Sequence, residues 1–113
     1  MGAGLVIHPN GDLVEVNLQP GENNLALMYE HLGCSDVDVV RLSAVLDMWL
    51  DEEGMFTQAV NPIATALARS FGYVFQPYFG PVLICGSTAA GDSVDLDAHQ
   101  LRALLTRLQD LTA

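Results

Sequence analysis

Lysine is absent from this chain, and its only fixed cations are four arginines against 14 aspartates and glutamates. The formal charge of −10 argues against nucleic acid and anionic membrane as direct partners, because both are held by positive surface. It favours a basic partner or a cation. Long hydrophobic runs are missing too: nothing approaches the roughly 20 apolar residues of a membrane-spanning helix. The opening MGAGLVIHPNG has neither the basic start nor the apolar core of a secretory signal, and Val6 stands where the myristoylation pattern requires Ser or Thr. Cysteine is scarce. Cys34 and Cys85 match no CxxC or zinc spacing, and Cys85, inside PVLICG, reads as a buried thiol acting as a small hydrophobe. That usage fits a reducing cytoplasm better than a disulfide-bonded secreted domain. The segment CGSTAAGDS lacks the lysine and spacing of a P-loop, and no residue sits in a nucleophile elbow. His8, His31 and His99 are widely separated and read as surface or capping residues. Neither a metal nor a cofactor is expected.

What the chain does have is apolar substance. Half of its residues are hydrophobic, which argues against intrinsic disorder, and 113 residues suit one domain, 1–113, with one core. LVIH-PNGD-LVEVNL reads as a hairpin: Pro9-Asn10-Gly11-Asp12 supplies the turn, and Val14, Val16 and Leu18 alternate with Leu13, Glu15 and Asn17. After the breaker QPGEN comes a short helix, capped by Asn23 or Asn24 and stopped by Gly33, with Leu25, Met28, Tyr29 and Leu32 as its stripe. VDVVRL and AVLDMWLD read as strands. In the second, Leu46, Met48 and Leu50 share one face, and Asp47, Trp49 and Asp51 the other. Asn61 as cap, Pro62 at the first turn and Gly72 as stop bound the next helix, with Ile63, Leu67, Ser70 and Phe71 as its stripe. Pro77 and Gly80-Pro81 make YVFQPYFG irregular before the strand VLICG, and STAAGDS is a loop. Asp97-Ala98-His99-Gln100 has capping-box spacing and opens a final helix whose buried stripe is Leu101, Leu104, Leu105 and Leu108. Asp95, Asp97 and Glu22 are expected to sit favourably at helix N-termini. The expected order is ββαββαβα. It implies an α+β fold of two layers, three helices on one face of a mainly antiparallel or mixed sheet.

Candidate chemistry gathers in DMWLDEEG and the helix start that follows it. Asp47, Asp51, Glu52 and Glu53 could bind a divalent ion through oxygen ligands or tune one carboxylate for acid–base work. Their spacing matches no calcium loop, and a polar turn with Gly54 as a permissive backbone explains them more simply. Trp49 flanked by acids has the make-up of a protein-binding surface if its face looks outward, and is core if that face is covered. The helix start at Asn61-Pro62 could hold an anion, although a plain cap accounts for it.

The motifs DMWLDEEG, NPIATALA and GPVLICG, within residues 47–86, resemble a small family of phages, plasmids and bacterial chromosomes, particularly of actinobacteria, known only as a domain of unknown function. Asp51, Glu52, Gly54, Asn61, Pro62 and Ala64 match its motif. The resemblance carries no activity, cofactor or ligand with it. The functional expectation is a non-enzymatic accessory protein of a mobile element, cytoplasmic, binding a protein partner through Asp47, Trp49, Asp51, Glu52, Glu53, Gly54 and Asn61, with those side chains at 47, 49 and 51 facing outward. Two rivals stand beside it: a small divalent-metal or ligand-binding enzyme using the four carboxylates, and an acidic mimic of DNA. Scattered charge disfavours the mimic, which needs carboxylates arrayed like phosphates. Self-association is compatible with the apolar composition and with exposed sheet edges.

Overall fold

A computed structural model describes residues 2–19 and 24–112. Along the chain run β1 (Gly4–Ile7), β2 (Leu13–Val16), α1 (Leu25–Leu32), β3 (Val37–Ser43), β4 (Leu46–Asp51), α2 (Gly54–Thr57), α3 (Pro62–Ser70), β5 (Val82–Ser87), β6 (Ser93–Val94) and α4 (Ala98–Thr112). The fold is α+β, as the sequence indicates. The order ββαββαβα lacks two short elements, the single-turn α2 and the two-residue β6, which makes four helices rather than three among the described residues. Neither is long enough to show a hydrophobic period.

The local signals act where they were read. In the first hairpin, the His8 amide donates to Asp12 O, Gly11 N to His8 O, and the Asn10 carboxamide oxygen accepts from Asp12 N. Asp97 and Gln100 close a reciprocal box, Gln100 N donating to Asp97 Oδ1 at 2.7 Å and Asp97 N to Gln100 Oε1 at 3.0 Å. Gly33 ends α1 in the left-handed conformation; Asn24 precedes that helix without a side-chain capping bond, its Oδ1 accepting from Gln19 N instead, and Asn23 and Glu22 lie outside the described residues. Asp95 does not serve a helix: its carboxylate accepts from Leu18 N and the Asn17 amide, tying the segment after β6 to the end of β2.

All strand pairings are antiparallel, in the order β2-β1-β5-β4-β3, with β6 pairing the end of β5. Two local hairpins, β1–β2 and β3–β4, therefore form the flanks, and β5 enters between them. This position explains why all six β5 residues are buried: each face of a central strand is covered only if both sheet faces carry helices. Both do. Leu5, Ile7, Met48, Val82 and Ile84 pack with Ala64, Leu67 and Ala68 of α3 and Leu101, Leu104 and Leu108 of α4. On the opposite face Val6, Val16, Leu83 and Cys85 pack with Met28 and Leu32 of α1. The two-layer expectation is thus corrected to three layers, helices–sheet–helix. The α3 stripe also turns by one residue: Ala64 and Ala68 face the core and Ser70 does not, since small side chains let the helix approach the sheet closely. Arg107 of α4 stacks 4.2 Å over the Phe71 ring and donates to Ser70 Oγ, joining the two helices from outside.

Candidate interaction surface

The alternation within β4 decides where its acids go. Asp47, Trp49 and Asp51 do share one face, but that face is the one α1 covers, so the expectation that they look outward is corrected. Trp49 is half-buried in the second core, and its indole N–H is buried without a hydrogen-bond partner. Asp47 is 4% exposed and meets Arg41 Nε at 3.5 Å across the β3–β4 pair. That contact is ionic; the same Asp47 oxygen makes no hydrogen bond.

Asp51 is a structural carboxylate. One oxygen accepts from Glu53 N at 2.9 Å, holding the turn, and the other accepts from the Gln58 amide at 2.7 Å. Gln58 also reaches the carbonyl of Leu32 at the end of α1, so one side chain joins β4, α2 and α1. Glu52 and Glu53 point to solvent. The four carboxylates share no donor site, and among the described residues no three His, Cys, Asp or Glu side chains could together hold a metal ion.

Gly54 opens α2 with an ordinary φ, so it is not required for a permissive backbone. Space favours it instead: a Cβ there would stand 3.1 Å from Phe79 O, a tight contact with backbone. Asn61 is fully buried. Its oxygen caps α3 by accepting from Ala64 N at 3.0 Å, while its nitrogen donates to Ile7 O at 3.0 Å and Gly80 O at 2.9 Å. It offers a partner or an anion no free atom. Cys85, also fully buried, has its thiol pushed up to about 12, mainly by desolvation. It is not a nucleophile at neutral pH. Cys34 is half-buried and its thiol is raised too, by burial first and then by the charge of Asp51.

Apolar side chains reach solvent elsewhere. The segment after α3 is pinned at both ends: the Tyr73 hydroxyl donates to Arg41 O, Tyr78 N donates to Thr65 Oγ1, and Asn61 N and Gly80 N bond to Tyr78 O and Ala59 O. Between the pins Val74 is 49% and Phe75 93% exposed, and on neighbouring α2 Met55 is 63% and Phe56 78% exposed. Two adjoining grooves run here. One, of about 390 Å³, lies between β3 (Val39, Arg41) and Tyr73 and Phe75. The other, of about 250 Å³, is lined by Asp38, Asp51, Glu52, Met55 and Pro77, and both share Gln76 and Tyr78. β3 is the sheet edge at this point. Its Arg41 carbonyl is taken by Tyr73 and its Val39 amide by the Asp38 carboxylate, which blunts the edge against strand addition.

Residues 2–109 match a family described as Domain of unknown function (DUF3846). The chain belongs to this family. The match covers nearly the whole domain rather than the motifs of residues 47–86 alone, so all three layers are part of the family's extent. No curated protein matches significantly, and no solved structure does. Of the seven candidate interaction residues at 47, 49, 51–54 and 61, Glu52 is the one that lines a groove and also stands in solvent. Phe75, Met55, Phe56 and Tyr73 were passed over. The signal for Tyr73 and Phe75 is Tyr73-Val74-Phe75-Gln76-Pro77-Tyr78-Phe79, four aromatics in a stretch that proline keeps out of the sheet; Met55 and Phe56 carry no such signal.

Proposed function

We propose that this domain is a non-enzymatic protein-interaction module whose binding surface is the apolar crest at Val74–Phe75 with Met55 and Phe56 of α2, beside the β3 edge. Its setting is the cytoplasm, and its role is that of an accessory protein of a mobile element acting on a host or element protein. The observation that carries the reading is Phe75, 93% exposed on a segment held at both ends. A phenylalanine kept in water by an ordered backbone costs solubility without serving either core. Aromatic anchors on a rigid frame are the usual carriers of interface energy, and Phe75 and Met55 line adjoining grooves, the kind of exposed apolar surface that marks interaction sites. The surface thereby moves from Trp49, whose truncation would open the second core, to the opposite side of the α2 turn.

The test is capture from a bacterial lysate by wild type, by Phe75→Ala with Met55→Ala, and by Val14→Ser at the far sheet edge. A specific partner retained by wild type and Val14→Ser and lost by the double variant, with the circular dichroism of all three unchanged, supports the reading. Equal retention by all three contradicts it.

A further inference from the structure

We infer that the occupant of this surface is a segment of another protein in which lysine or arginine lies to one side of a bulky apolar anchor. This rests on the binding reading above and specifies the chemistry of the partner. The groove nearer α2 has three carboxylates on its walls, Asp38, Asp51 and Glu52, and none of its lining residues is basic. Glu53 and Asp36 adjoin it, since Glu52 N donates to Asp36 O. Asp51 is committed internally through both oxygens, which leaves the exposed acids to face an occupant. The cations stand outside this groove: Arg41, paired with Asp47, lines the adjoining groove beside β3, Arg69 lies near Phe75 at the crest, Arg107 is stacked on Phe71 and Arg102 is on α4. The surface is therefore polar in the electrical sense, negative at the α2 end and apolar at the crest, with Arg41 and Arg69 on the crest's side.

Such a field steers and orients a cationic segment and repels an anionic one. It also disfavours a second copy of this chain, whose formal charge is −10 and whose same acids would meet across a two-fold contact. With the Arg41 carbonyl and the Val39 amide already taken, the occupant is held by side chains in the grooves rather than by adding a strand.

The experiment is panning of a random peptide phage library against wild type with counter-selection on Phe75→Ala, followed by affinity measurement on a selected synthetic peptide at low and high NaCl. Enrichment of peptides with an aromatic or large aliphatic residue flanked on one side by Lys or Arg is expected, with binding weakened roughly tenfold by Asp38→Asn with Glu52→Gln and by added salt. Enriched peptides without cations, or affinity indifferent to salt and to that variant, overturn the inference while leaving the binding surface in place. No enrichment over Phe75→Ala overturns both. A wild-type dimer in sedimentation equilibrium that Phe75→Ala dissolves makes a second copy the occupant, and overturns the inference as well.

Discussion

Asn61 shows how one side chain can look like a site in sequence and be architecture in space. Its carboxamide joins the start of α3, the end of β1 and the approach to β5 through three buried hydrogen bonds. Asn61→Ala would strip a cap and remove the buried donor to the carbonyls of Ile7 and Gly80, and should cost about 3–5 kcal/mol in urea denaturation. Asn61→Asp should be nearly as damaging, because it keeps the cap acceptor but sets an oxygen against the carbonyls of Ile7 and Gly80. A loss under about 1 kcal/mol for either variant would show those bonds to be dispensable. The cap was legible because Asn-Pro at a helix start is a local pattern; the other two bonds were not, since their partners lie 54 and 19 residues away. The same distance problem hid the fate of Asp47, Trp49 and Asp51. Their common face follows from the period of a strand, but the helix that covers it is α1, placed there by the topology of the sheet.

At the level of elements, hairpins, caps and stops were readable because each is closed by neighbours in sequence. β5 was recognisable as the most strand-like run, yet its central position could not be seen, for it depends on two hairpins formed elsewhere. That position gives Cys85 its chemistry. The ordinary thiol value is 9.0 and burial lifts Cys85 to about 12. The unfolded chain therefore loses this proton first as pH rises. Its contribution to stability is complete below the unfolded value and declines by about 1.4 kcal/mol per pH unit across that window. Wild type minus Cys85→Ala in denaturation at a series of alkaline pH values should show this slope; a flat difference would contradict it. At neutral pH a maleimide should modify native protein at Cys34 first, with Cys85 reacting only after denaturant is added, as mass spectrometry can read. Equal rates at the two thiols would mean that the second core is open.

For the whole molecule, the consequence of inserting β5 between the flanks is a sheet with two dry faces. A two-layer domain would leave Leu83 near solvent, and Leu83→Ala would then cost little. With α1 over that face the loss should be about 2–5 kcal/mol, comparable to Ile84→Ala on the other side, measured by chemical denaturation. A Leu83→Ala cost below about 1 kcal/mol would remove the third layer from the account. The composition foretold a folded, acidic domain and the patterns foretold most of its elements. The binding surface escaped both, because exposure of Phe75 is set by pins at Tyr73 and Tyr78 that bond to β3 and α3. Amide hydrogen exchange of the domain, free and bound to its captured partner, decides where that surface lies. Protection gained over residues 54–57 and 73–77, with α1 and residues 91–93 unchanged, is the predicted result; protection gained instead around α1 and Trp49 would contradict it.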